Sequence, residues 1–80
     1  MNREQILSLI QTHLADELNV EESAIQYTTR FKEDLEADSL DLYTLVQELE
    51  DTYGVTISEE QAVDILTVEQ AIDFVLANAG

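Results

Sequence analysis

Residues 38–54 read DSLDLYTLVQELEDTYG, and how they fold decides the architecture. Leu42, Leu45, Val46, Leu49 and Tyr53 recur at intervals of three and four, the spacing of one helical face rather than the alternation of a strand. Asp38 suits the N-cap, with Ser39 at the first helical position and Asp41 at the third, where a carboxylate favours the positive end of the helix dipole. Gly54 stops the helix, because glycine adopts a left-handed terminal conformation without strain. Turned at about 100° per residue, the helix sets Asp41, Thr44, Glu48 and Asp51 nearly opposite the apolar stripe. Leu40, Tyr43 and Gln47 project outwards beside them, which predicts a docking surface apolar at its centre and charged at its rim.

The flanking segments predict further helices. Ile6, Leu7, Ile10, Leu14 and Leu18 fall in one arc of a helix from about Arg3 to Leu18, opened by Asn2 and Gln5 in capping-box spacing. Ser58 with Gln61 opens a short helix of roughly two turns. Thr67 with Gln70 opens a last one that carries Val68, Ala71, Ile72, Val75 and Leu76. Val55 to Ile57 has no second strand to pair with and reads as a linker. Between Asn19 and Ala37 no period is visible. Val20, Ile25, Phe31 and Leu35 are expected to pin this long loop across the helices, with a helical turn near Glu21 to Ile25. The expectation is an all-α four-helix bundle of three main helices and one short helix, as one domain over residues 1–80.

Eighteen acidic residues against three basic ones give a net charge of −15. That balance excludes nucleic acid, disfavours anionic membranes, and points to protein partners with basic patches. A chain without cysteine has no disulfide and no thiol of its own. No apolar run approaches a membrane span and the polar start MNREQ is not expected to act as a secretion signal, so a cytoplasmic monomer is expected. Stability should lie at about 4 to 12 kcal/mol.

Ser39 stands among Glu33, Asp34, Glu36, Asp38 and Asp41. Serine catalysis would need a base, and the single histidine, His13, lies at the margin of the first helix's apolar arc, with no nucleophile-elbow motif around Ser39. Asp34, Glu36 and Asp38 occupy the first three ligand positions of a calcium loop. The register then fails, with Ser39 where glycine is needed and Leu45 where a bidentate glutamate is needed, so no dedicated metal site is expected. A phosphodiester on Ser39 would meet the positive end of a helix, against the repulsion of its acidic neighbours, and that repulsion would favour an attached arm swinging outwards. The residues by themselves permit a serine-linked phosphate without naming one, and leave open an acidic interaction or calcium-responsive module with an unmodified Ser39.

The stretch EADSLDLYTLVQELEDTYGVTI, preceded by FKEDL and followed by SEEQAVDILTVEQAIDFV, resembles the acyl carrier proteins of dissociated fatty acid and polyketide synthesis over about Ile6 to Leu76. The resemblance implies that a phosphopantetheinyl transferase attaches 4'-phosphopantetheine from coenzyme A to Ser39, and that the protein, not itself an enzyme, carries acyl groups as thioesters between acyl-transferring or synthase enzymes. It further implies contacts to these enzymes through Asp38, Leu40 and Asp41, with Glu48, Glu50 and Asp51 further down the helix. It would place Leu45, Val46, Leu49, Ile57, Ala62, Val63, Ile65 and Ala71 around the acyl chain. Glu36 departs from the family by standing where glycine is common, and Leu42, Tyr43 and Thr44 stand for a small polar residue, a branched aliphatic and a glutamate.

A self-repelling chain of this charge is expected to gain stability from salt, so the thermal midpoint should rise between low and high ionic strength. Calorimetry in a sodium chloride series reads the shift; an unchanged midpoint would show that the carboxylates are already neutralised within the fold.

Overall fold

The protein is described here as a computed structural model covering residues 2–79. Four α-helices follow in order: α1, Arg3–Leu18; α2, Ser39–Tyr53; α3, Glu59–Val63; and α4, Val68–Asn78. A single 3-10 turn, Glu22–Ala24, interrupts the long loop where a helical turn is predicted. The short helix α3 is five residues long, somewhat less than the two turns expected. Val55 to Ile57 is an extended linker without strand pairing.

Each α-helix opens with a reciprocal capping box. Asn2 with Gln5, Asp38 with Asp41, Ser58 with Gln61 and Thr67 with Gln70 each exchange side-chain bonds with one another's backbone N–H groups. Two of the stops use left-handed residues: Asn19 (φ 56°) after α1 and Gly54 (φ 68°) after α2.

Against α1 pack both α2 and α4. Ile6, Ile10 and Leu14 from α1 meet Leu45 and Leu49 from α2 and Val68, Ala71, Ile72 and Val75 from α4 in one buried cluster. The short helix α3 adds no fully buried residue. Ile25, Phe31, Ala37, Val55 and Ile57 come to the cluster from the loops. The last helix departs from its predicted stripe at Leu76, which is exposed at the edge of the buried face formed by Val68, Ala71, Ile72 and Val75. Leu35 and Val20 are half-buried anchors, whereas Ile25 and Phe31 are fully enclosed.

The long loop meets its backbone requirements by serving α4. Thr29 O accepts from Val68 N at 3.0 Å, Tyr27 O from Glu69 N at 2.9 Å, and Leu66 O accepts from Phe31 N at 3.1 Å. With the Thr67 hydroxyl accepting from Gln70 N, the N–H groups of the first three residues of α4 all have partners. Gln11 Nε2 donates to Ile25 O at 2.8 Å and fastens the loop to α1 as well. The buried Thr29 closes the turn, its hydroxyl accepting from Gln26 N at 2.8 Å.

Glu36 holds φ at 55° in the left-handed region, which explains physically why glycine suits this position. Glu36→Gly is expected to raise unfolding stability by up to about 1 kcal/mol, as relief of strain and of one negative charge outweighs the entropy of a freer unfolded chain. Urea denaturation measures it, and a loss of stability would show that the strain is negligible. Burial pushes the Tyr53 phenol above its ordinary value. Because the folded state favours the neutral phenol, its contribution is complete below a free tyrosine's pKa of about 10 and is lost as pH climbs through the higher folded value. Tyr53→Phe should flatten the stability profile over that alkaline window, read by denaturation at stepped pH.

Candidate functional site

Ser39 occupies the first position of α2, directly after the cap formed by Asp38. It is exposed, and its hydroxyl takes part in no hydrogen bond among the described residues. The five acidic residues around it are not five free charges. Asp38 Oδ1 accepts from Asp41 N at 2.9 Å and Asp41 Oδ2 from Asp38 N at 3.1 Å, so both carboxylates are turned to the helix end. Glu33 and Asp34 both pair with Arg30. The Arg30 guanidinium, followed by its backbone N–H, holds the Asp34 carboxyl below its ordinary value, and Asp34 correspondingly raises Arg30. Only Glu36 of the five has no such partner among the described residues. Asp34 and Asp38, at the first and fifth positions of the calcium-loop register, are thus spent on structure.

Beside Ser39 opens a cleft of about 860 Å³ between α2, α3 and the start of α4. Leu45, Val46, Leu49, Ile57, Ala62, Val63, Ile65 and Ala71 all line it, together with Ser39 itself. Leu45, Leu49, Ile57 and Ala71 form its buried floor, Val46, Ala62 and Ile65 its half-buried walls, and the exposed Val63 its rim. A concave, largely apolar space of this size is what a small apolar ligand requires.

This cleft changes the reading of α2. Leu42 and Val46, assigned to the core stripe, are half-buried on the cleft wall, and Tyr53 too is only half-buried, so that just Leu45 and Leu49 of the stripe are enclosed. The inward direction of the helix is rotated towards α1. Thr44 accordingly does not stand on the outward face: its hydroxyl, which donates to Asp41 O at 2.8 Å within its own helix, lies 3.1 Å from Glu17 Oε1 and 3.5 Å from His13 Nε2, across the α1–α2 contact. A bare helical wheel weighs only side-chain polarity, and could not show that α1 covers this flank.

The surface residues divide in the same way. Leu40 (68% exposed), Tyr43 (56%), Gln47, Glu48 and Asp51 face solvent together, with Asp38 at their head and Asp41 half-buried beside it. Glu50 does not join them. It is half-buried on the cleft side, where its Oε2 accepts from Ile57 N at 2.9 Å and holds the linker against α2. His13 is half-buried as expected, with Thr44 and Glu17 as its neighbours and no bond to Ser39.

Sequence reasoning missed the loop wall of the cleft. Arg30, Phe31 and Lys32 line it from the segment before α2, and Leu66, Thr67 and Gln70 from the start of α4. No periodicity marks these residues; the hydrogen bonds between Phe31 and Leu66 and between Thr29 and Val68 bring them together. Among the described residues, no helix is long and apolar enough to cross a membrane.

Comparison with known proteins places this geometry. The sequence profile of the phosphopantetheine attachment site matches residues 8–75. The acyl carrier protein of Rubrobacter xylanophilus is 51% identical over 76 residues, covering 95% of this chain and 94% of its own. Among solved structures, the thermally stable acyl carrier protein of Enterococcus faecalis superposes with a TM-score of 0.82 at 35% identity, over 98% of this chain and 99% of that one. The acyl carrier protein of Thermotoga maritima gives 0.82 at 26% identity, over 98% and 91%. These matches favour the carrier over a bare acidic or calcium-responsive module, and on their extent the chain belongs to the acyl carrier proteins, the family marked by its phosphopantetheine attachment site.

Proposed function

We propose that Ser39 is the residue that bears the 4'-phosphopantetheine arm, and that the protein is a non-enzymatic, monomeric, cytoplasmic carrier, one domain over residues 1–80, serving fatty acid or related polyketide synthesis. One observation carries the reading: an exposed, unbonded hydroxyl at the head of α2 borders an apolar cleft. The group supplies, when bound, the thiol that a chain without cysteine lacks.

The chain's own residues then divide the work. Asp38 and Asp41, locked in their capping box, hold Ser39 at a rigid helix end, and the bonding of their carboxylates to backbone N–H groups reduces the repulsion a phosphodiester would meet. Leu45, Val46, Leu49, Ile57, Ala62, Val63, Ile65 and Ala71 offer an acyl chain a surface that excludes water, at about 0.8 kcal/mol for each methylene buried. Because α3 adds no fully buried residue to the core, it is the wall that yields at least cost. Leu40, Tyr43 and Gln47 form the apolar centre of a docking face, with Asp38, Asp41, Glu48 and Asp51 at its rim for the basic patches of the transferase and of the acyl-transferring or synthase enzymes. Glu50, expected on this face from the resemblance, stands apart from it and holds the linker at Ile57 instead.

Ser39→Ala is expected to abolish the mass gain on incubation with coenzyme A and a phosphopantetheinyl transferase while leaving the helical circular dichroism unchanged. A modified Ser39→Ala protein would refute the assignment. Ala62→Phe should fill the cleft and speed hydrolysis of a medium-chain thioester, with little effect on a two-carbon one; equal rates for both chains in variant and parent would place the acyl chain elsewhere. Asp51→Lys and Glu48→Lys should slow transfer by partner enzymes and flatten its dependence on salt, measured by initial rates across ionic strengths.

A further inference from the structure

Of the chain's three cations, two are occupied. Arg3 pairs with Glu69 and Asp73 and lies 5.5 Å from the centre of the Tyr27 ring. Arg30 pairs with Glu33 and Asp34. Lys32, the sole lysine, is exposed and has no ion pair or side-chain hydrogen bond among the described residues, although it belongs to a chain of eighteen carboxylates. It lines the same cleft as Ser39.

Two main-chain bonds put it there. Phe31 N donates to Leu66 O at 3.1 Å, and Ala37 N donates back to Phe31 O at 3.0 Å. The second closes residues 31–37 into a tight loop, so Lys32 starts beside the residues that lead directly into Ser39. The cleft's other polar groups are largely committed. Glu50 accepts from Ile57 N, the Ser58 hydroxyl from Gln61 N, and the Gln70 side-chain oxygen from Leu66 N and Thr67 N. Of the other two cleft carboxylates, Glu33 pairs with Arg30, and Glu59 belongs to the first turn of α3 and forms no ion pair with Lys32. A lysine so placed can lay its methylene stem along apolar surface and keep its ammonium at the mouth, within reach of an anion there.

We propose that Lys32 is an oxyanion anchor, whose ammonium pairs with an anionic oxygen brought to the cleft by the group on Ser39. The proposal rests on Ser39 as the attachment residue. Two sources share the chemistry: the phosphodiester at the root of the arm, and a carboxylate at the far end of an acyl chain. Lys32 acts as a positioning residue in either case, drawing the arm or the chain towards the cleft against the outward push of the acidic surface.

Because the chain has one lysine, reductive methylation followed by peptide mapping reports on Lys32 separately from the amino terminus. The apo protein and its holo, butyryl-loaded and succinyl-loaded forms, each verified by intact mass, are labelled under identical conditions. Labelling of Lys32 should slow by about two- to fivefold, the factor given by an ion pair of about 0.5–1 kcal/mol, and the slowing should vanish at high salt. Slowing in all three modified forms identifies the phosphodiester, and slowing in the succinyl form alone identifies the carboxylate. Equal rates in all four forms overturn the anchor while the mass gain upholds Ser39; a protein that never gains the arm removes the attachment reading and the anchor with it. As a second readout, Lys32→Met should shift the phosphorus resonance of the holo protein or speed hydrolysis of the succinyl thioester, with Lys32→Arg restoring the parental value. A methionine variant matching the parent in both measurements would overturn the anchor as well.

Discussion

The hydrogen bonds that join the long loop to the beginning of α4 are the constraint on which the rest depends. Val68 N to Thr29 O, Glu69 N to Tyr27 O and Phe31 N to Leu66 O do two things at once. They give partners to amides that the first turn of a helix leaves without any, and they give a loop lacking regular structure a fixed course. Phe31 is thereby driven into the core, and Ala37, bonded back to Phe31, delivers the chain to the cap of α2. The position of Ser39 and the loop wall of the cleft both follow from this one seam.

A second constraint is electrostatic. In a protein of net charge −15 the carboxylates crowded near Ser39 repel one another unless they are locally bonded. The fold manages them by local bonding rather than by distance: Asp38 and Asp41 cap α2, Arg30 takes Glu33 and Asp34, and Glu50 secures the linker at Ile57. What is left exposed along α2 runs from Leu40 and Tyr43 to Glu48 and Asp51. The departures from the family pattern fit the same logic. Thr44, without the usual carboxylate, becomes a hydrogen-bonding link between α2 and the His13–Glu17 side of α1. Tyr43 becomes part of both the exposed surface and the mouth of the cleft.

The core and the cleft share residues. Leu45, Leu49 and Ala71 are core side chains as much as cleft floor, so the space exists because α3 covers the core only in part. A longer, well-buried α3 would close the core more firmly and remove the room beside Ser39. The short helix, with its own capping box but no buried residue, leaves that room open.

By itself the sequence determined everything that depends on neighbours a few residues apart. The four capping boxes, the bounds of α1 and α2, the stop at Gly54 and the first-position placement of Ser39 are local matters, set by side chains three or four residues away. The residues of the apolar cleft were legible too, although only through resemblance, since core packing and ligand contact demand the same apolar side chains. Tertiary structure alone decided what depends on which element covers which. It turned Glu50 inwards to Ile57, set Thr44 beside α1, exposed Leu76, and left Leu42 and Val46 half-buried at the edge of the core, where they line the cleft. It also brought Arg30 and Lys32 to the same opening as Ser39, because loop amides must find acceptors and those acceptors lay far along the chain. Periodicity measures the faces of a helix, but only the packed neighbours settle which face meets solvent, core or ligand.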